Sequence, residues 1–555
     1  MHGPHPVRGR VHFFGIFQGL RPKAGRMRLI GAKRWRAGGA PAFVRLVAAV
    51  LLFGGGYAVA NRFQLIHSVA YRLAAGDVPS AATALLFLAF QAAVFLAALV
   101  LFPRRWAAVL LVLAGASILV NTGYAQLVAE LLDAGSLAWL WAEARQAGNA
   151  AGEFGGELPW VAVQVAAALA LFVAARRLAR RAAHWPWGGG WAAATLALLI
   201  VPSIAYRHAA LWPEGAERSL YGLAIDLAGA PPPPPRGAVE LAPRAPPDAP
   251  RHIVWVIDES VAEAPFRRLI APTLADTPHL DFGVAAAMGH CSAPAQVALR
   301  SGIDVRRVDT DTDLRRTPSI WAYAKAAGYR TVMIDGQTTG APQNLLLPPE
   351  RALIDAYRAM PGGIDTDLTM ADAINQGLKR DERTFTYAVL RGVHFQYRDH
   401  YPAGTLPADA PVALQYATAL RWSKARFFSR LLAGVDRAGV AIVYTSDHGQ
   451  NLTPGALPHC SRAPVADEFR VPLLAFLPPR LAARYGDAPR AGHSVSQIFP
   501  ATLIWMGYDA AAVTARYDRD LTQPTARFVW FGRTVIPTGG ETAIDVTAGP
   551  HFPGR

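Results

Sequence analysis

The stretch Gly439-Val440-Ala441-Ile442-Val443-Tyr444-Thr445-Ser446-Asp447-His448-Gly449-Gln450 decides how the C-terminal half of this chain is read. A short apolar run rich in β-branched residues stops at Asp-His-Gly. That is the pattern of a buried strand with polar groups at its carboxyl end. A second run, HIVWVI at 252–257, leads into Asp258, Glu259 and Ser260. Further runs lie at 329–335 (YRTVMID), 385–392 (FTYAVLRG) and 471–477 (VPLLAFL). Helix-like stretches at 367–380 and 413–439 fall between them. Strands alternating with helices predict an α/β domain with a mostly parallel central sheet covered on both faces, spanning 251–555. Ligands of such sheets bind beyond the carboxyl ends of the strands, where Glu259, Asp447 and His448 fall.

Working upstream, residues 231–250 read PPPPPRGAVELAPRAPPDAP, a stiff, extended spacer rather than a packed element. Before it, EGAERSLYGLAIDLA (214–228) is amphipathic and is expected to run along a membrane. The region 207–250 therefore reads as an amphipathic stretch and a linker. Still earlier, apolar stretches occur near 43–60, 82–102, 106–120, 158–175 and 189–205. They lack the polar stripe of a soluble core helix, and the second is long enough to cross a hydrocarbon core of about 30 Å. Five crossings within 43–206 are expected, the third extending through NTGYAQLV (121–128). The whole chain agrees: 555 residues, 52% hydrophobic and only 17% charged, against about 25% charged in soluble domains. Two cysteines exclude a disulfide-built scaffold.

Charge placement predicts orientation. The arm 1–42 carries Arg8, Arg10, Arg21, Lys23, Arg26, Arg28, Lys33, Arg34 and Arg36, with no acid before residue 40. The turns with Arg104 and Arg105, and with Arg176, Arg177, Arg180 and Arg181, are basic too, whereas 121–157 holds five acids against Arg145. The positive-inside bias then puts the arm in the cytoplasm and, after five crossings, the α/β domain outside. Topology accounts for the net charge of +15, and no nucleic-acid partner is expected. Trp139 and Trp141 mark 121–157 as a segment on the outer face.

The chemistry-bearing residues sit at the strand ends. Asp447 and His448 can turn toward one cation if the chain bends at Gly449, and Glu259 supplies a further carboxylate. Oxygen with imidazole nitrogen suits zinc, with manganese the alternative, better than calcium. Ser292, in GHCSAPAQVALRSG (289–302), precedes a proline and a helix-like run, so its hydroxyl lies near unpaired amides that hold anions. His394 and His459 follow strand-like runs and suit contacts to a phosphate or its leaving group. Asp335 ends another strand and reads as a loop cap or a site residue. Cys291 adjoins Ser292, and Cys460 adjoins His459. They bond if both face one pocket, but adjacent residues can equally point apart.

Several segments carry a resemblance. VIDES (256–260), SDHGQ (446–450), RGVHFQYRDHYP (391–402) and LPHCSRAPVADEFRVPLLAF (457–476) resemble motifs of the alkaline phosphatase/sulfatase superfamily, and within it the membrane-anchored phosphoethanolamine transferases that modify lipid A. The resemblance implies a zinc-dependent sulfatase-like catalytic domain in the periplasm, behind five spans in a Gram-negative inner membrane. It places metal ligands at Glu259, Asp447 and His448, with Ser292 Oγ as the nucleophile and fourth ligand. It gives substrate-phosphate roles to His394 and His459, and allows a second metal with substrate. A phosphatidylethanolamine-like donor, an envelope lipid or glycan acceptor, the bilayer and a monomeric state follow as expectations. The superfamily's sulfatases carry Cys or Ser, then x-Pro-x-Arg, and a glycine ten positions after the nucleophile. Here Ser292, Pro294 and Gly302 fit, but Gln296 stands where Arg is expected. Conversion of the serine to formylglycine is disfavoured accordingly. Phosphoglycerol transfer, ester hydrolysis and a non-catalytic membrane scaffold are the alternatives.

Overall fold

The computed structural model describes residues 40–74, 76–128, 131–142, 155–156, 158–182, 191, 194–195, 197–198, 213–229, 232–244, 249–303, 313–338, 344–460, 464–525, 528–529 and 543–544. Its N-terminal part is helical: α1 Ala40–Ala60, α2 Val78–Leu101, α3 Arg104–Val128, α4 Ala134–Ala142, α5 Leu158–Ala182 and α6 Ser219–Gly229. Four of these, α1, α2, α3 and α5, are long and apolar enough to cross a membrane. The fifth predicted span, 189–205, lies mostly outside the described residues, as does the basic arm before residue 40. The third span does run on through 121–128, so the segment assigned to the outer face begins inside α3. Trp141 on α4 is 82% exposed. The spanning helices meet over Phe53, Phe95 and Phe172, whose rings lie 5.2–5.8 Å apart.

The amphipathic stretch departs from its expected course. Residues 213–217 enter the helix bundle, and bundle side chains take up their backbone groups. Gln91 Nε2 donates to the Pro213 carbonyl (2.8 Å), and Gln91 Oε1 accepts from Gly215 N (2.9 Å). Asn61 Oδ1 accepts from Ala216 N (2.7 Å), and Ser117 Oγ donates to the Ala216 carbonyl (2.6 Å). Non-helical backbone inside a bundle needs such partners, because lipid offers none. That is why Asn61, just past the end of α1, and Gln91 and Ser117, within otherwise apolar helices, are buried.

The C-terminal part holds an eight-stranded sheet ordered β4-β3-β5-β1-β6-β7-β2-β8. The strands are β1 His252–Asp258, β2 Leu280–Ala286, β3 Arg330–Asp335, β4 Ala356–Ala359, β5 Thr384–Val389, β6 Val440–Ser446, β7 Arg470–Phe476 and β8 His493–Ser494. β4, β3, β5, β1 and β6 are mutually parallel; β7 runs antiparallel to both β6 and β2. β1 is central and buried along its whole length. Alternate residues serve opposite layers, as the strand period dictates. Ile253, Trp255 and Ile257 pack in the layer of Val297, Trp321 and Phe499, on α7 Ser292–Ser301, α8 Ile320–Ala326 and a later helix. Val254 and Val256 face the layer of Leu368, Tyr416 and Phe427. These belong to α9 Thr366–Leu378, α10 Val412–Lys424 and α11 Phe427–Leu432. Full burial of each such side chain contributes about 1.5–3 kcal/mol.

The proline-rich segment is not a free spacer. Arg236 donates to the Leu314 carbonyl (2.7 Å) and to Ser301 Oγ (3.3 Å), and its side chain is 8% exposed. Val239 and Leu241 pack on the sheet's core, and Pro243 bridges to Tyr508.

Candidate active site

β1 and β6 are neighbours in register, so Asp258 lies opposite Ser446 and the two polar strand ends emerge side by side. Glu259 follows β1 and Asp447-His448 follows β6. These three form the one His/Cys/Asp/Glu cluster among the described residues with metal-binding spacing, their ligand atoms all within 4.8 Å of one another. Each is at most 2% exposed. Ser292 is the first residue of α7, a ten-residue helix, and its Oγ lies 3.1 Å from Glu259 Oε1 and 3.1 Å from His448 Nε2. His448 Nδ1 lies 2.8 Å from the Gly449 carbonyl. A proton on Nδ1 leaves Nε2 facing Ser292 with its lone pair.

Gly449 acts by closeness rather than by bending. Its φ is not in the left-handed region, but a Cβ there would collide with the Asp467 carbonyl. Gly302 also has a structural reason for its place. It ends α7 with φ +62°, and a Cβ would strike the Phe499 ring. The ten-residue spacing from Ser292 is the length of the helix.

The site fits a cation on its own terms. Asp447 Oδ1 accepts from His448 N (2.8 Å) and Ser260 N (3.3 Å), whereas Oδ2 is buried with no hydrogen-bond partner. Burial pushes the Asp447 carboxyl well up, and the neighbouring Glu259 carboxylate adds to the effect. Burial works the other way on His448, yet Asp447 and Glu259 push its imidazole up to about 10. Two acidic groups and an imidazole packed this closely, with one carboxylate oxygen unpartnered, are the donor set that a divalent ion takes.

The remaining predicted residues fall nearby. The His459 ring lies 4.6 Å from that of His448 and 5.1 Å from that of His394. Burial, then the charges of His448 and His394, push His459 well down, so it is neutral. Its Nδ1 contacts the Gln450 amide (3.2 Å), which also meets the Tyr397 hydroxyl (2.7 Å). Cys291 and Cys460 are joined in a disulfide. This tethers the residue before Ser292 to the residue after His459, and it removes Cys291 as a nucleophile. Asp335 caps its loop, accepting from Gln337 N (2.9 Å) and the Tyr357 hydroxyl (3.0 Å).

Sequence reasoning missed the residues that hold this cluster in place. Gln337 Nε2 donates to Glu259 Oε2 (2.7 Å). Ser260, with φ +61°, donates its hydroxyl to Glu259 Oε1 (2.8 Å). A left-handed non-glycine beside two carboxylates is the kind of strain that a functional site retains. Gln296, on the buried face of α7, accepts from the Tyr387 hydroxyl through Oε1 (3.4 Å) while its Nε2 is unpartnered. VIDES contained the Ser260 signal only as a polar residue after a strand.

His400, at the edge of this region, gives a pH prediction. Burial first, and then the nearby Arg391 cation, push its imidazole down to about 3. An unfolded histidine titrates near 6.5. The native chain binds fewer protons between these values, so stability is full above about pH 6.5. It falls by up to about 1.4 kcal/mol per pH unit below that. Urea midpoints measured between pH 7.5 and 5 should drop, and less so in His400→Gln. Equal slopes for both proteins would refute the assignment.

The sheet, the strand-end cluster and the helix-borne serine belong to one α/β domain, preceded in the chain by apolar helices. The sulfatase family model matches residues 251–508. Among solved structures, the chain is similar to the C-terminal periplasmic domain of EcEptC from Escherichia coli in complex with Zn. The identity is 18% and the TM-score 0.45, covering 57% of this chain and 98% of that one. It is also similar to the integral membrane lipooligosaccharide phosphoethanolamine transferase A (EptA) from Neisseria meningitidis. There the identity is 14% and the TM-score 0.49, covering 85% of this chain and 96% of that one. No curated protein sequence matches it.

Proposed function

We propose that this protein transfers a phosphoethanolamine-like headgroup from a membrane phospholipid to an envelope acceptor, lipid A or a glycan, through a phosphoserine at Ser292. The observation that carries this reading is the Ser292 hydroxyl, 3.1 Å from both Glu259 Oε1 and His448 Nε2 and at the head of a helix. Apolar helices in the same chain bring the active site to a lipid donor. The inner membrane, with the domain in the periplasm, is the proposed location.

Glu259, Asp447, His448 and Ser292 Oγ would hold the metal, with zinc favoured by their donor set. When bound, it would lower the pKa of the serine hydroxyl and screen charge on the phosphodiester. The chain's own groups do the rest. Ser292 Oγ attacks phosphorus, the bond from phosphorus to the diacylglycerol oxygen breaks, and diacylglycerol leaves with a proton. Amides at the start of α7 face the phosphoryl oxygens. Neutral His459 and its neighbour His394 are placed to donate to those oxygens or to the leaving group. An acceptor hydroxyl or phosphate then attacks the phosphoserine and frees Ser292.

The test is incubation of the purified protein with headgroup-labelled phosphatidylethanolamine, followed by peptide mass spectrometry. Phosphoethanolamine on the peptide bearing Ser292, and release of diacylglycerol, are expected. Label passing only to water marks a hydrolase, label only from phosphatidylglycerol a phosphoglycerol transferase, and an aldehyde at position 292 a sulfatase. Any of these overturns the reading.

A further inference from the structure

A charged group with no part in the proposed chemistry lies directly behind the site. Lys424, the last residue of α10, is fully buried. Its Nζ lies 3.0 Å from Asp258 Oδ1, 2.5 Å from Asp367 Oδ2 and 2.6 Å from Ser423 Oγ. Both carboxylates lead into the active site. Asp258 ends β1, accepts from Glu259 N through Oδ1 (3.0 Å) and takes the Tyr444 hydroxyl on Oδ2 (2.6 Å). Asp367, on α9, accepts from Arg391 N (2.8 Å) and Gly392 N (3.2 Å), three and two residues ahead of His394. Val393 N in turn donates to the Glu259 carbonyl (3.0 Å).

We infer that Lys424 is a positioning residue: by tying Asp258 to Asp367 it fixes the backbone of Glu259 and the His394 loop in one register. This rests on the metal-site reading above. One cation between two buried carboxylates leaves every carboxylate oxygen facing a donor, so the arrangement has few alternatives. Buried ion triads are also found with no role beyond packing. The two roles separate by measurement. A packing role changes stability alone, whereas a positioning role changes zinc affinity in protein that is still folded.

The variant Lys424→Met/Asp367→Asn keeps the triad's net charge, since one cation and one carboxylate are lost together. In full-length detergent-solubilised protein it should unfold cooperatively. Its zinc affinity, measured by chelator competition, should fall about 10- to 100-fold. On labelled phospholipid, kcat should fall while KM holds. Tyr444→Phe, which removes one hydroxyl from Asp258, covers failure of the double variant to fold; it should weaken zinc binding about threefold or more, with kcat following. Unchanged zinc affinity in the folded double variant, or in Tyr444→Phe where the double variant does not fold, overturns the inference. Wild-type protein that binds no zinc overturns the metal-site reading instead. Wild-type protein that binds zinc but transfers nothing overturns only the proposed function.

Discussion

Ser292→Ala should stop headgroup transfer, lowering kcat by at least about 10³-fold, as loss of a nucleophile does. The fold should survive, because Ser292 is only partly buried and α7 keeps its N-terminal Pro294 and its Gly302 stop. No labelled peptide should be recovered, and diacylglycerol release should cease with transfer. The informative control is the neighbouring disulfide. Cys291→Ala/Cys460→Ala should lose about 2–5 kcal/mol of stability, since the bond closes a loop across 169 positions. It should still accept label on Ser292 at a temperature where it is folded. Full transfer by Ser292→Ala, or label that follows Cys291, would remove the serine from the mechanism.

Asp447→Asn should have the second large effect. It takes away the carboxylate whose Oδ2 is buried without a partner. Zinc affinity should fall at least about 100-fold and turnover should be lost, with the membrane helices intact by circular dichroism. In metal-free protein the same change should cost little, because it also removes the repulsion that Glu259 exerts on Asp447. Zinc should therefore raise the melting temperature of wild type and leave that of the variant nearly unchanged. Stripping wild type with a strong chelator should reproduce the loss, and added zinc should restore activity. Undiminished transfer by metal-free wild type would end the metal-dependent reading.

What could be read from the sequence follows from where the physics is local. β1, β3, β5, β6 and β7 are runs of apolar residues between breakers, and all five appear in the sheet. β2 was invisible: Asp281 and Gly283 interrupt its pattern, and its ladder slips between Asp281 and Val284. β4 and β8, four and two residues long, have no period to detect. The stretch 413–439 read as one helix is two, α10 and α11, separated at Ala425 and Arg426. At the site, residues at strand ends announced themselves, because a carboxylate after a buried strand has few other reasons to be there. Gln337, Ser260 and Lys424 did not. The partners of Gln337 and Lys424 lie 78 and 57 positions away, and such distant pairing leaves no mark on local composition; Ser260 bonds its own neighbour Glu259, but a serine after a strand does not announce a left-handed backbone.

The docked proline-rich segment bears on where this chain can be cut. A soluble fragment starting at residue 251, where the family match begins, would discard Arg236, Val239, Leu241 and the pairing of Pro243 with Tyr508. It would uncover apolar surface on the sheet's core and leave Glu350 with one guanidinium partner, Arg300, where it now has two. Arg236 also holds Ser301, at the far end of the helix that Ser292 begins. Excision made upstream of Pro232 keeps that brace. A boundary drawn by sequence similarity would therefore yield a looser α7 than the one the intact chain possesses.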